Sequence, residues 1–128
     1  MNHLIIIGAG GMGRTMYDMA RESIGYGEEY DIKGFIDDNI AALDGFPNYP
    51  PLLSAITTYQ PQANDIFVCS IGGSARRKCM EEIIALGGRF LTMIHKTVRL
   101  GTNVTIGEGT VIGAFTTIGA DAHVGKYN

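Results

Sequence analysis

At 128 residues, 45% hydrophobic and 18% charged, the chain has globular composition and room for one ordinary domain, or a small domain plus part of a second. A net charge of -3 supplies no general basic field for nucleic acid. No apolar run approaches the roughly 20 residues needed to span a bilayer. Leu4–Ile7 is too short for a signal peptide's apolar region and leads directly into glycines, so no such peptide is expected. Cys69 and Cys79 match no zinc spacing and suit a reduced compartment, which predicts a cytoplasmic protein.

Leu4–Ile7 reads as a strand buried on both faces of a parallel sheet. GAGGMG follows from Gly8 to Gly13, and a helix starts near Arg14 with Met16, Met19 and Ala20 on one face. A second strand, Ile32–Ile36, runs into Asp37 and Asp38. After a loop containing Pro47, Pro50 and Pro51, the segment Leu52–Tyr59 predicts a short helix. Ile66–Ser70 is a third strand, closed by Ile71, Gly72, Gly73 and Ser74. The next helix spans about Ala75 to Leu86, with Met80, Ile83 and Ile84 on one side and Gly87-Gly88 as a left-handed cap. Phe90–Ile94 reads as a fourth strand, and His95 and Lys96 begin a different pattern. Strands alternating with helices imply a Rossmann-like parallel α/β domain over residues 1–94. Ligands of such sheets bind at the carboxyl ends of the strands, where GAGGMG, Asp37-Asp38 and Ile71–Ser74 all lie.

Gly8, Gly10 and Gly13 satisfy the dinucleotide fingerprint in its strand–loop–helix setting. Glycines there let the backbone approach a phosphate, and the helix N-terminus offers free N–H groups with a partial positive charge. A purely structural turn is the alternative. Met12 could pack against a base or sugar, or merely fill a gap. Asp37, 24 residues after Gly13, stands near the place of a ribose-binding acid, but could equally accept hydrogen bonds from an amino sugar or a uracil N–H, or form a surface turn with Asp38 and Asn39. Gly72-Gly73-Ser74 could form a second anion site with Arg76, Arg77 and Lys78, although basic residues in that position are often simply solvated. Cys69 reads as a packing residue. His3 reads as structural, His95 as a turn residue and His123 as a surface residue. The repeats offer no histidine but His123, too few ligands for a metal, and no nucleophile elbow occurs.

From Leu100 the sequence repeats every six residues as LGTNVT, IGEGTV, IGAFTT, IGADAH and VGKYN. Leu100, Ile106, Ile112, Ile118 and Val124 are each followed by a glycine, and Val104, Thr110, Thr116 and Ala122 stand four places on. Period six fits neither an α-helix nor an alternating strand. It fits a parallel β-helix, whose aliphatic residues fill the interior while each glycine permits a turn that a side chain would obstruct. Such arrays need at least about three repeats and a cap, and this one stops one residue short of a whole hexad. Either the chain is a fragment of a longer protein or another chain covers the exposed end; the favoured expectation is a fragment, with residues 95–128 forming the first, incomplete coils.

The ordered set GAGGMG, FIDDN, SIGGSARRK and MIHKTVRLG leading into hexads resembles the bacterial sugar acetyltransferases of the sialic acid O-acetyltransferase and UDP-amino-sugar N-acetyltransferase type, within the hexapeptide-repeat acyltransferase superfamily. The resemblance covers essentially all 128 residues. It implies a homotrimer of left-handed β-helices with acetyl-CoA bound between subunits, and an N-terminal domain that holds a UDP-linked amino sugar. It implies that Gly10, Gly11 and Met12 contact the nucleotide sugar, that Asp37 and Asp38 bind its uracil or sugar side, and that Gly72 lines the same pocket. With Gly8, Gly13 and Gly73 these are the candidate substrate-binding residues. Many relatives carry histidine where this chain has Met12, which leaves the acceptor's identity open. The family's catalytic histidine and most of its acetyl-CoA site are expected beyond Asn128, and His123 does not match that histidine.

Three readings follow. The first is the acceptor-binding part of an acetyl-CoA-dependent sugar acyltransferase. The second is an NAD-dependent oxidoreductase or redox-sensing module, resting on the glycine fingerprint and Asp37, which leaves the hexads unexplained. The third is a non-catalytic nucleotide-binding or assembly module whose hexads only join subunits.

Overall fold

A computed structural model describes residues 1–128. Four parallel strands, β1 (Asn2–Ile7), β2 (Tyr30–Ile36), β3 (Leu52–Ser54) and β4 (Asp65–Cys69), form a sheet in the order β3-β2-β1-β4. The chain winds outward from β1 through β2 to β3, then returns to place β4 on the other side of β1. The point where strand order reverses is thus between β1 and β4. Helix α1 (Gly11–Arg21) covers one face and α2 (Gly73–Ala85) the other. Alternation along β1 divides the core accordingly. Leu4 and Ile6 pack with Met16, Ala20 and Phe35, whereas Ile5 and Ile7 pack with Cys79, Met80 and Ile83. Leu4–Ile7 are fully buried, and each such side chain contributes about 1.5–3 kcal/mol of transfer free energy. Neither helix is long and apolar enough to cross a membrane.

The parallel α/β sheet agrees with the sequence reading, but two segments differ. Leu52–Tyr59 is not a helix. Leu52–Ser54 adds β3 to the sheet edge, and only Ile56–Thr58 makes a 3-10 turn. The unpaired edge of β2 recruits it: the Phe35 N–H donates to the Pro51 carbonyl and that of Asp37 to Ser54. The run Phe90–Ile94 is also divided. Phe90 bridges to Phe67 at the β4 edge, while β5 (Met93–Ile94) leaves the sheet and pairs in parallel with β8 (Val111–Ile112).

The hexads give β6 (Arg99–Leu100), β7 (Thr105–Ile106), β8, β9 (Thr117–Ile118) and β10 (His123–Val124). Pairing is parallel between β5 and β8, β6 and β9, and β7 and β10, always 18 residues or three hexads apart. Gly101 and Gly107 permit this stacking, since a Cβ on either would stand 2.5 Å from a backbone nitrogen of the hexad above, Ala120 or Lys126. The sequence reading assigned the turn to these glycines. The left-handed conformation instead falls two residues later, at Asn103, Gly109, Phe115, Asp121 and Tyr127. Asn and Asp tolerate it, whereas Phe115 (φ 59°) adopts it with its ring 86% exposed.

The hexads are fastened to the sheet domain at two places. His95, read from sequence as a turn residue, is buried. The Thr97 N–H donates to its Nδ1, which leaves Nε2 to donate to Glu22 at the end of α1, 3.0 Å away. On the other side Tyr127 packs edge-on against Phe90, which packs against Phe67.

A buried charge sits at the start of β4. Asp65 accepts from Tyr59 Oη (2.6 Å), the Gln62 N–H (2.8 Å) and Lys33 Nζ (3.1 Å). Burial pushes its pKa upward, but these three donors outweigh burial and hold it below 3.8. Asp65 therefore stabilises the fold above its unfolded value, and this contribution is lost as pH falls through the folded value. Tyr59→Phe is expected to cost about 1–2 kcal/mol in urea unfolding at neutral pH. The gap between wild type and Asp65→Asn should close as pH drops below 3.8; a constant gap would contradict the charge network. Phe115→Asn should stabilise the chain by about 0.5–1 kcal/mol, whereas a loss of stability would mean that the ring contributes packing.

Candidate functional site

The three loops singled out from sequence adjoin at the switch point. Gly8, in the left-handed region (φ 95°), turns the chain out of β1, and a Cβ there would stand 2.5 Å from Ser70 Oγ. Ser70, at the end of β4, donates to the Ile7 carbonyl at 2.7 Å and lies 3.2 Å from that of Gly8, tying the first loop to the third. Gly13 is buried in the first turn of α1, where a Cβ would stand 1.9 Å from the Gly8 carbonyl oxygen. Gly8 and Gly13 are thus required by packing. Gly10 is different: it caps α1 in an extended conformation (φ -77°, ψ -166°), and a Cβ there meets nothing within 4 Å. Gly10, Gly11 and Met12 are exposed, and no side chain caps the helix. Gly72 caps α2 in the same uncapped way, with Gly73 in the left-handed region (φ 66°). Two helix N-termini with free N–H groups therefore flank the β1–β4 boundary, a placement suited to an anion.

Asp37 and Asp38 lie at the carboxyl end of β2, and both turn part of their acceptor capacity inward. Asp37 accepts from the Ala9 N–H through Oδ2 and the Asn39 N–H through Oδ1, each at 2.8 Å. Asp38 accepts from the Ile56 N–H at 2.9 Å through Oδ1, and its residue is exposed. The basic residues after Gly73 do not act as a group. Arg76 donates to the Cys69 carbonyl (2.7 Å) and reaches that of Tyr127 (3.3 Å), Arg77 pairs with Glu81, and Lys78 is exposed.

Two side chains at the first loop were not singled out from sequence. Arg14 donates to the Ala9 carbonyl and lays its guanidinium 3.7 Å from the centre of the Phe46 ring. Ser70 is the other. Arg14 could have been noticed as the residue directly after the fingerprint, but Phe46 carries no local signal. A separate cleft of about 450 Å³ runs between α2 and the last hexad, lined in part by Arg76, Arg77, Lys126 and Tyr127. It touches the glycine loops only at Gly73.

The remaining candidates are accounted for locally. Burial keeps the Cys69 thiol raised, and burial with the nearby Cys69 pushes Cys79 up to about 11, so both are packed thiols rather than nucleophiles. His3 pairs with Asp31 at 2.6 Å. His123 is exposed and shares a hydrogen bond with Thr105 across the β7–β10 pair.

The family described as PglD N-terminal domain matches residues 3–83, well over half of the chain. No curated protein matches the sequence. Among solved structures, the acetyltransferase domain of PglB from Neisseria gonorrhoeae FA1090, determined with acetyl coenzyme A, is 26% identical with a TM-score of 0.80. The similarity covers 99% of this chain and 60% of that one. PerB from Caulobacter crescentus, determined with CoA and GDP-perosamine, is 21% identical with a TM-score of 0.78, over 100% of this chain and 60% of that one. WeeI from Acinetobacter baumannii AYE is 24% identical with a TM-score of 0.76, over 99% of this chain and 59% of that one. The chain thus spans about 60% of the length of these proteins. With a match that runs from the first strand through most of the second helix, the chain belongs to the PglD N-terminal domain family.

Proposed function

We propose that residues 1–94 form the acceptor-binding domain of an acetyl-CoA-dependent sugar acetyltransferase, and that residues 95–128 are the first coils of its left-handed parallel β-helix. The observation that carries this reading is the parallel pairing of hexads 18 residues apart, directly after a Rossmann-like sheet with two open glycine loops. An oxidoreductase has no use for the hexads, and Asp37 spends an acceptor of each oxygen on backbone amides instead of presenting both to a ribose. PglB in complex with acetyl coenzyme A, and PerB with CoA and GDP-perosamine, share this arrangement of sheet and repeats and support the same pair of substrates here.

The acceptor is a nucleoside diphosphate-linked sugar, an amino sugar in the favoured form. Its diphosphate meets the free N–H groups at Gly10, Gly11 and Met12 and those at Gly72 and Gly73, between the turns built on Gly8 and Gly13. Asp38 stands beside Asp37 at the base or sugar side. Acetyl-CoA supplies the activated acyl group. His123, the histidine of the hexads, is a surface imidazole bonded to Thr105 and is not assigned as the general base. The general base and most of the CoA site are therefore assigned to parts of the assembled enzyme outside these residues, and this chain alone is expected to bind acceptor without turnover. The intact protein is read as a cytoplasmic homotrimer with no nucleic acid or membrane partner.

Calorimetric titration with UDP, a UDP-4-amino sugar and NADH tests the reading. UDP or the amino sugar should bind while NADH stays silent; NADH binding alone would overturn it. Gly10→Ala separates ligand from fold. The open space around Gly10 and its ordinary φ should limit the stability change to under about 1 kcal/mol, while the methyl group enters the crevice and weakens UDP binding by roughly tenfold or more. Unchanged affinity would place the ligand elsewhere.

A further inference from the structure

We propose that Asp37 is a positioning residue that sets the direction of the glycine-loop amides, and that it serves any nucleoside diphosphate equally instead of reading the base. This rests on the acceptor-site reading above and assigns separate tasks to two adjacent carboxylates that the sequence presents as a pair. Asp37 Oδ2 accepts from the Ala9 N–H and Oδ1 from the Asn39 N–H, both at 2.8 Å, so the carboxylate spans two loops whose residues 9 and 37 are 28 positions apart. Ala9 is fully buried and directly precedes Gly10, the N-cap residue of α1, which supplies no side-chain cap.

Both peptide planes that meet at Ala9 are held. The Ala9 N–H is bound by Asp37, and the Ala9 carbonyl accepts from Arg14 at 3.3 Å. The first bond holds the Gly8–Ala9 peptide and the second the Ala9–Gly10 peptide, so together they set the Ala9 dihedrals and the direction of the Gly10 N–H from which the loop continues. Glycine lacks a Cβ and so has little preference of its own to decide this, and a Cβ added at Gly10 or Gly11 would meet nothing closer than 3.8 Å. The latch therefore lowers the ordering cost of a loop that must present several donors to one anion. Asp38 is anchored through Oδ1 to the Ile56 amide, on the opposite loop, and has no link to Ala9.

A positioning role and a base-reading role predict different patterns across ligands. Removing a latch weakens every ligand that uses the glycine amides by the same factor; removing a base contact weakens one nucleotide selectively. The experiment titrates UDP, GDP and inorganic pyrophosphate against wild type, Asp37→Ala and Asp37→Asn, with the backbone amide spectrum of each free protein recorded alongside. In Asp37→Ala we expect affinity for all three probes to fall by a common factor, about tenfold, and the Ala9 amide proton to lose its downfield, carboxylate-bonded shift. Asp37→Asn, which keeps the shape and one acceptor oxygen, should recover part of both, and it carries the test if the alanine variant does not fold. A loss confined to UDP, or an Ala9 amide unchanged by the substitution, would overturn the proposal. If wild type binds none of the probes, the acceptor reading fails, and the Ala9 amide by itself decides whether the latch exists.

Discussion

The first turn of α1 rests on the end of β1 so closely that a single methyl group at Gly13 would stand 1.9 Å from the Gly8 carbonyl oxygen. Much of the molecule depends on that approach. It aims the uncapped amides of α1 at the β1–β4 boundary, and it lets Met16 and Ala20 reach Leu4 and Ile6 in the core. The far end of α1 has its own contacts. Glu22, just past the helix, receives the buried His95, and the Lys96 N–H donates to the Glu22 carbonyl. One helix thus carries the open glycine loop at its start and the attachment of the hexads at its finish.

The hexads solve a different problem. Two-residue strands cannot hold together singly, so each is stacked on the strand three hexads later, and the aromatic chain Tyr127–Phe90–Phe67 ties the stack to the sheet. Gly109 shows the tightness of that contact, since a Cβ there would stand 2.4 Å from the Tyr127 ring. The consequence for function is geometric. Both His95 and Tyr127 cross the boundary, so the glycine loops and the hexads are tied to each other at two points.

Much of this was legible in the sequence where the signal is local. The run Leu4–Ile7 followed by glycines, and the aliphatic-glycine pairs from Leu100 onward, declare their structures because period and chain-turn chemistry are written in adjacent residues. The misread segments depend on distant partners. Leu52–Ser54 became a strand because the edge of β2 lacked hydrogen-bond partners, which no property of Leu52–Tyr59 reveals. His95 looked like a turn residue because its partner Glu22 lies 73 positions away. The hexad glycines were correctly marked as places a side chain would obstruct, and at Gly101 and Gly107 the obstruction is the backbone of the coil stacked above, a partner the local sequence does not name. At the candidate site, the spacing placed Asp37 and Asp38 at the right strand end, but which way each carboxylate turns is settled by loops elsewhere in the chain.

The central claim is that the nucleotide binds at the two open glycine loops and not in the cleft between α2 and the last hexad. Backbone amide chemical-shift mapping during a UDP titration separates these places most directly. The account predicts the largest shifts at Gly10, Gly11, Met12 and Gly72, with Lys126 and Tyr127 unmoved. Shifts concentrated at Arg77, Lys126 and Tyr127, with the first glycine loop silent, would contradict it.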